Sequence, residues 1–240
     1  MENLQYSKVK NTDKENIKIL NSIFNKDQDL KSLESKLIQA SINNNQNAVI
    51  QLIEQITLTN NANPLIYSAQ FGYSEAIDFF IKKDKQNLNK KDNNGETALM
   101  HAARNGNIKI ATKLFNYKQN INEINNFGYT ALMIAIENEH QDIINLLLKQ
   151  KDIDINKTNK FGWTALMFAA KFKNTEVVKI LVEKEANINK KDFLGRSAIT
   201  IAHQYNNYEI ENYLNKKLGE NINKIDKSIL TKSYVKSKIN

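Results

Sequence analysis

The stretch NNFGYTALMIA, residues 125–135, returns almost unchanged in TNKFGWTALMFA, residues 158–169. Two weaker versions flank this pair, GETALMHAA from Gly95 and GRSAITIAH from Gly195. The glycines that open the four blocks are 33, 34 and 33 residues apart. A fixed period of this size is typical of a solenoid built from stacked repeats, so the repeat decides the fold before any single motif does.

Each block contains two short helices, judged by the spacing of its apolar residues. In the block from Gly128, the first helix is marked by Ala131, Leu132 and Ala135, and the second by the apolar residues of 143–148. Short segments rich in Asn, Asp and Gly, such as NEINNFG, separate the blocks and predict tight hairpin-like turns. A hydroxyl residue is placed to cap each first helix; these residues are Thr97, Thr130, Thr164 and Ser197.

The link between the two helices of a block needs one residue in the left-handed conformation. Gly72 and Gly106 occupy this position in two blocks, whereas later blocks place Glu139, Lys173 and Asn206 there. A left-handed residue other than glycine costs roughly 1 kcal/mol. We therefore expect the backbone of these links to be less stable in the second half of the chain than in the first.

The blocks resemble ankyrin repeats, which have a period of about 33 residues and a Thr-Pro-Leu-His-x-Ala signature. The matching residues are Thr-Ala-Leu-Met at 97–100, 130–133 and 164–167, and Ser-Ala-Ile-Thr at 197–200. Alanine replaces the family's proline, and methionine or threonine replaces its histidine, so packing must substitute for the histidine's hydrogen bonds. The resemblance implies an all-α fold, a solenoid of stacked helix-turn-helix units joined by hairpin-like turns.

The resemblance extends over most of the chain. The segment NPLIYSAQFG from Asn63 keeps the family's proline, and LIQASINNNQ from Leu37 is a weaker match suited to an N-terminal cap. We predict an ankyrin-repeat solenoid over residues 30–226, with about six units that include degenerate terminal caps. The segment NKKLGENINK from Asn215 is expected to repeat the turn element.

Two further segments are predicted at the ends. Residues 1–29 are expected to be an N-terminal segment with an amphipathic helix at 15–25 that packs on the first unit. Residues 227–240 are expected to be a lysine-rich C-terminal tail, with four lysines and no acidic residue.

The composition limits the function classes. The chain has no cysteine, which excludes disulfides, zinc–thiolate sites and thiol catalysis. Its net charge of +8 overstates the basicity of the body, because four of the 34 basic residues lie in the tail. No apolar run approaches the ~18 residues needed to span a bilayer, and the N-terminus lacks the apolar core of a signal peptide. We expect a cytoplasmic protein.

The three histidines give no sign of a catalytic or metal centre. His101, His140 and His203 fall one to a repeat, and the resemblance implies that His140, which opens a second helix, bonds locally. Neither a glycine-rich phosphate loop nor a nucleophile elbow is present. We predict that the protein is not an enzyme and that it has no cofactor and no metal site.

The asparagines of the turns are expected to hold the turns by bonding backbone groups. They are Asn89, Asn122, Asn156 and Asn189. The resemblance leaves one alternative open, because such positions can be hydroxylated in the family.

The candidate binding residues lie at positions that the family leaves variable, beside each opening glycine and at the end of each first helix. By resemblance these positions face the concave groove that binds partners, and aromatic residues and arginine carry much of the energy of interfaces. The alternative for the aromatic residues is local packing on the neighbouring turn. The predicted partner-binding residues are Phe127, Tyr129, Phe161, Trp163, Phe172, Arg104, Arg196 and Phe193.

Two hypotheses for function follow. The first is a scaffold or adaptor, a monomer that binds a protein partner on the concave groove and performs no chemistry. The second is association of the basic tail with nucleic acid or an anionic membrane, which would weaken steeply with salt. A host-directed effector of an intracellular microbe, acting inside the host cell, is a biological setting that the first hypothesis leaves open.

Overall fold

The computed structural model describes residues 28–60 and 62–220, and the regular structure within these ranges is helical. Within these ranges, twelve α-helices follow one another in six pairs, and a short 3₁₀ helix, Lys85–Asn89, lies after the second pair. The pairs are α1 (28–42) with α2 (Gln46–Asn60), α3 (Pro64–Phe71) with α4 (Ser74–Lys83), α5 (Ala98–Arg104) with α6 (Ile108–Phe115), α7 (Ala131–Glu137) with α8 (Gln141–Leu148), α9 (Ala165–Lys171) with α10 (Thr175–Glu183), and α11 (Ala198–Gln204) with α12 (208–220).

The first helices of the pairs form one row and the second helices form another. Helix α5 packs against α3 and α7, and α9 packs against α7 and α11, while α6 packs against α4 and α8. One apolar core runs through the stack, from Leu37 in α1 to Leu214 in α12. Each pair thus buries its apolar face against its neighbours, and the predicted all-α repeat fold is confirmed.

The predicted helix caps are present. Thr97, Thr130 and Thr164 each accept a hydrogen bond from the backbone N–H three residues later, at 3.3 to 3.4 Å. Ser197 accepts the same bond at 3.4 Å. In helix α3 the cap is Asn63, with Pro64 at the first helical position, where a missing N–H costs nothing. These polar residues fix where helices α3, α5, α7, α9 and α11 begin.

The methionines at the family's histidine position are packed inside the core. Met100, Met133 and Met167 expose no more than 1% of their surface. The sulfur of Met167 also accepts a bond from the Thr164 N–H at 3.4 Å, which completes a reciprocal cap. Packing therefore replaces the missing histidine, as expected.

The left-handed residues between paired helices also match the prediction. Gly72 and Gly106 have φ of 85° and 67°, and Glu139, Lys173 and Asn206 have φ of 59°, 58° and 57°. Asn44, between α1 and α2, has φ of 54°, so four of the six described pairs carry backbone strain at a position where the other two carry glycine.

The expected turn from Asn215 is wrong over the part that the structure describes. Residues 215–220 continue helix α12. Leu214 is fully buried, and the Lys217 ammonium lies 2.8 Å from the Glu220 carboxylate one turn later. The apolar contact and this ion pair extend the helix through a polar stretch that resembles a turn in sequence. The predicted helix at 15–25 and the predicted tail at 227–240 lie outside the described residues.

Candidate functional site

The candidate site is built on four turns that share one design. A side-chain oxygen at the start of each turn accepts hydrogen bonds from the backbone N–H groups two and four residues later. Asn125 accepts from Phe127 and Tyr129 at 3.0 and 2.9 Å, and Asn159 accepts from Phe161 and Trp163 at 2.9 Å each. Asp92 and Asp192 do the same in the outer two turns. This asparagine-type turn holds both residues that flank each glycine.

Backbone hydrogen bonds join consecutive turns into a row. The N–H of Asn126 donates to the Asn94 carbonyl at 2.9 Å, and that of Lys160 donates to the Phe127 carbonyl at 2.9 Å. The N–H of Phe193 donates to the Phe161 carbonyl at 3.2 Å. The tips of the turns, and the side chains on them, are therefore fixed relative to one another.

Three of the four predicted turn asparagines, Asn89, Asn122 and Asn156, bond backbone groups, but they do so across repeats. Asn122 donates to the Asp152 carbonyl at 2.7 Å and accepts from the Asp154 N–H at 2.8 Å. Asn156 accepts from the Asn187 N–H at 2.9 Å. These amides therefore connect one repeat to the next.

Aromatic residues that lie one or two positions before the glycines are exposed at the tips of the turns. Phe127 and Phe161 expose 56% and 57% of their surface, and Phe193 exposes 78%. Leu194, beside Phe193, exposes 76%. Side chains of this size are usually covered in a monomeric protein when they occur in a row.

The aromatic residues that follow the glycines are half-buried and pack on helix α9. Tyr129 and Trp163 lie with their ring centroids 5.3 and 5.2 Å from that of Phe168, which is itself buried. Burial, together with the nearby Glu137 carboxylate, raises the pKa of Tyr129 above its ordinary value. These two rings thus combine a packing role with one exposed edge.

Two adjoining hollows lie beside the row of turns, and we call them together the groove. The first has a volume of about 390 Å³ and the second about 800 Å³, and they share Tyr129, Glu137 and Phe161. The first is also lined by Asn159, Trp163, Phe168, Lys171, Phe193, Leu194 and Arg196. The second is also lined by Gln70, Phe71, Asn94, Glu96, His101, Arg104, Asn105, Asn125 and Phe127.

The structure brings seven of the eight predicted partner-binding residues to the groove. Phe172 is the exception, since it lines neither hollow. It is half-buried beside the groove, with its ring centroid 4.7 Å from the ammonium group of Lys171. Phe71 and Phe168 line the groove and were missed by the sequence analysis. Phe71 is the last residue of a first helix, which is one of the variable positions, so its aromatic side chain could have been predicted to line the groove. Phe168 lies inside a helix at an apolar position, where the sequence predicts only a core residue.

The arginines of the groove are paired by the protein's own acids. Arg104 bonds the buried carboxylate of Glu96, and the Nη2 atom of Arg196 lies 2.7 Å from the Asp192 carboxylate. Burial alone would raise the pKa of Asp192, but hydrogen bonds from Arg196 and from the turn outweigh it and lower that pKa. Both arginines therefore hold the groove's own turns.

Asp92, Glu96 and His101 form a polar cluster that the sequence analysis missed. Their ligand atoms lie within 4.8 Å of one another, which is close enough for a divalent cation. Each is engaged within the fold, however: Asp92 holds its turn and bonds His101 Nε2 at 2.8 Å, and Glu96 bonds Arg104 and Asn125. These bonds account for the cluster without an ion.

The other two histidines are structural as well. His140 was expected to bond locally, but its Nε2 atom instead lies 2.9 Å from the Arg104 carbonyl of the preceding repeat. Its ring covers Gly106, whose missing side chain leaves room for it. His203 pairs with Glu211 at 3.0 Å on the surface. The expectation of a local bond at His140 is therefore wrong, because the ring bridges two repeats.

Comparison with known proteins agrees with this architecture. A family model described as ankyrin repeats, in three copies, matches residues 65–159 and 151–226. A comparison with curated proteins returned no match. No helix in residues 28–60 and 62–220 combines the length and apolar character needed to cross a membrane.

Proposed function

Because the chain belongs to the ankyrin-repeat family, whose repeats generally mediate protein–protein interaction, we propose that it is a non-enzymatic adaptor that binds a protein partner in the groove. The observation that supports this proposal is the row of exposed rings at the turn tips. Phe127, Phe161 and Phe193 follow one another along the edge of two adjoining hollows. Buried on a partner, each ring would contribute a large apolar contact.

The shape of the groove favours a segment of polypeptide as the partner. Its two hollows adjoin along the stack and share three residues, so one ligand can occupy both. The turns that carry the rings are fixed by hydrogen bonds, and little ordering of the groove is needed on binding.

The polar residues of the groove support a binding role over a catalytic one. Glu96 and His101 are buried, and their hydrogen bonds hold neighbouring turns and helices together. Protonation of Glu96 during proton transfer would leave the Arg104 guanidinium without its buried carboxylate partner.

The test compares two triple variants of the full chain. In the groove variant, Phe127, Phe161 and Phe193 become serine, while Tyr129 and Trp163 are kept because they pack on Phe168. The control variant changes Ile38, Leu58 and Phe79 to serine; they line neither hollow and expose 57%, 83% and 40% of their surface. Circular dichroism verifies that both variants fold.

The readout is quantitative affinity purification from lysate of the source organism, at low and at high salt. We expect a partner that the wild type and the control variant retain at both salt concentrations and that the groove variant loses. Retention of every partner by the groove variant would refute the proposal. A partner that the groove variant retains, and that is released by high salt or by deletion of residues 227–240, would instead favour the tail.

A further inference from the structure

Lys171 differs from the other basic residues of the groove because the protein leaves its charge without an acidic partner. Arg104 and Arg196 are paired with carboxylates, whereas the ammonium group of Lys171 has no carboxylate within 4.0 Å among the described residues. Its neighbours are aromatic: the ammonium group lies 4.7 Å from the ring centroid of Phe172 and 5.8 Å from those of Trp163 and Tyr205.

These rings hold the lysine in place at the edge of the smaller hollow. Three cation–π contacts restrict a side chain that would otherwise move freely in water. A positioned and unpaired ammonium group recognises a carboxylate at a lower entropic cost than a flexible surface lysine does. The groove therefore presents one defined site for a negative charge.

The aromatic lining of the smaller hollow raises an alternative, a cationic ligand. Trp163, however, already has two cations on it, with the guanidinium carbon of Arg196 at 5.4 Å and the ammonium group of Lys171 at 5.8 Å from its ring centroid. A third cation would be repelled by both. An apolar side chain fits the hollow without that penalty, because Phe161, Phe193 and Leu194 line the rest of its mouth.

Glu137 places a negative charge in the smaller hollow, opposite in sign to that of Lys171. It ends helix α7 as Lys171 ends helix α9, and it lines both hollows. It too has no ion pair among the residues that the structure describes. A negative charge on the ligand is therefore disfavoured at the α7 end of the smaller hollow and favoured at the α9 end.

We propose that the partner binds through an acidic, apolar segment: a bulky apolar side chain enters the 390 Å³ hollow, and an adjacent aspartate or glutamate pairs with Lys171. This inference rests on the proposed function and adds the chemistry of the partner to it. Peptide recognition by one apolar anchor and one charged neighbour requires both features in the same segment.

The probe is a displayed library of 12-residue peptides with a fixed central phenylalanine and random residues elsewhere, selected on the full chain. Selections run in parallel on the wild type and on the Lys171→Glu, Lys171→Gln and Lys179→Glu variants. Lys179 is exposed on helix α10 and lines neither hollow, so its variant matches the charge change outside the groove. Binding of selected peptides is then measured by the fluorescence of Trp163, the only tryptophan of the chain.

We expect the wild type and Lys179→Glu to enrich aspartate and glutamate beside the phenylalanine. Selected peptides should bind about tenfold more weakly when that acid becomes lysine, which is about 1.4 kcal/mol. Lys171→Gln should abolish this difference, and Lys171→Glu should invert it. The neutral variant removes the charge without introducing a repulsive one, so a folding defect in Lys171→Glu leaves the test intact.

Three results would overturn the inference. Enrichment of neutral or basic peptides would refute the acidic partner; if an additional variant, Phe161→Ala, no longer bound these peptides, the groove would still be the binding site. Acidic enrichment that Lys171→Glu and Lys179→Glu reduce equally would reveal attraction to the net positive charge of the protein. A library from which nothing is enriched would also count against it, and the affinity purification decides the groove itself.

Discussion

Replacement of Gly128 by alanine tests whether the turns form a fixed row. Gly128 has φ of 80°, and a Cβ atom added there would lie 2.8 Å from the backbone nitrogen of Lys160 and 2.9 Å from the Cα atom of Asn159. Both atoms belong to the backbone of the next turn, which is held by its own hydrogen bonds. The contact therefore cannot be relieved by moving a flexible side chain.

Gly195 provides a matched control, because it opens the last block with the same backbone conformation. Its φ is 76°, but among residues 28–60 and 62–220 an added Cβ atom would meet no atom within 4 Å. Gly195→Ala should therefore cost only the strain of a left-handed alanine, about 1–2 kcal/mol. Gly128→Ala should cost this strain and also about 1–3 kcal/mol for the close contact, or about 2–5 kcal/mol together.

The assay is urea unfolding of the full chain, followed by circular dichroism for the whole solenoid and by Trp163 fluorescence for the repeat that the added methyl group would displace. We expect Gly128→Ala to lower the free energy of unfolding clearly more than Gly195→Ala does. Equal losses in the two variants would refute the reasoning, because they would show that the turns do not press against each other.

Three further predictions concern stability and its pH dependence. Glu139→Gly and Lys173→Gly should each raise the free energy of unfolding by about 0.5–1 kcal/mol in urea titrations, because they remove a left-handed residue other than glycine; no gain in either variant would contradict this. Asn156→Ala should cost about 1 kcal/mol, because its amide bonds the next repeat, whereas Asn116→Ala, at an exposed position, should be nearly neutral. The lowered pKa of Asp192 means that its carboxylate stabilises the fold above its unfolded pKa of about 4 and that this stability is lost as the pH falls through the folded value. Asp192→Asn, which keeps the amide-type turn of Asn125 and Asn159, should therefore flatten the fall in stability below about pH 4, as measured by acid titration; an unchanged acid transition would count against that assignment.

Local chemistry made much of the fold predictable from the sequence. The period fixed the repeat unit, and the caps at Thr97, Thr130 and Thr164 depend on one side chain and one backbone group three residues away. The left-handed φ of Glu139 and Lys173 follows from their place between two short helices.

Interactions across repeats were not predictable in the same way. His140 bonds a carbonyl 36 residues earlier, and helix α12 continues through residues 215–220 because Leu214 is buried.

The character of the groove depends on pairs of variable positions that meet only in three dimensions. In the first of the four blocks, Glu96 follows the glycine, and its carboxylate oxygen lies 3.9 Å from the Nε2 atom of His101, five residues later. In the third block, Trp163 follows the glycine and packs on Phe168, which is also five residues later. Because Phe168 is large and apolar, it also holds the Tyr129 ring of the preceding repeat and leaves the smaller hollow lined by rings. A histidine at the equivalent place instead gathers Asp92 and Glu96 and makes that end of the groove polar. One pair of positions thus changes the groove from polar to aromatic along the solenoid, which explains why an apolar anchor is expected at one end only.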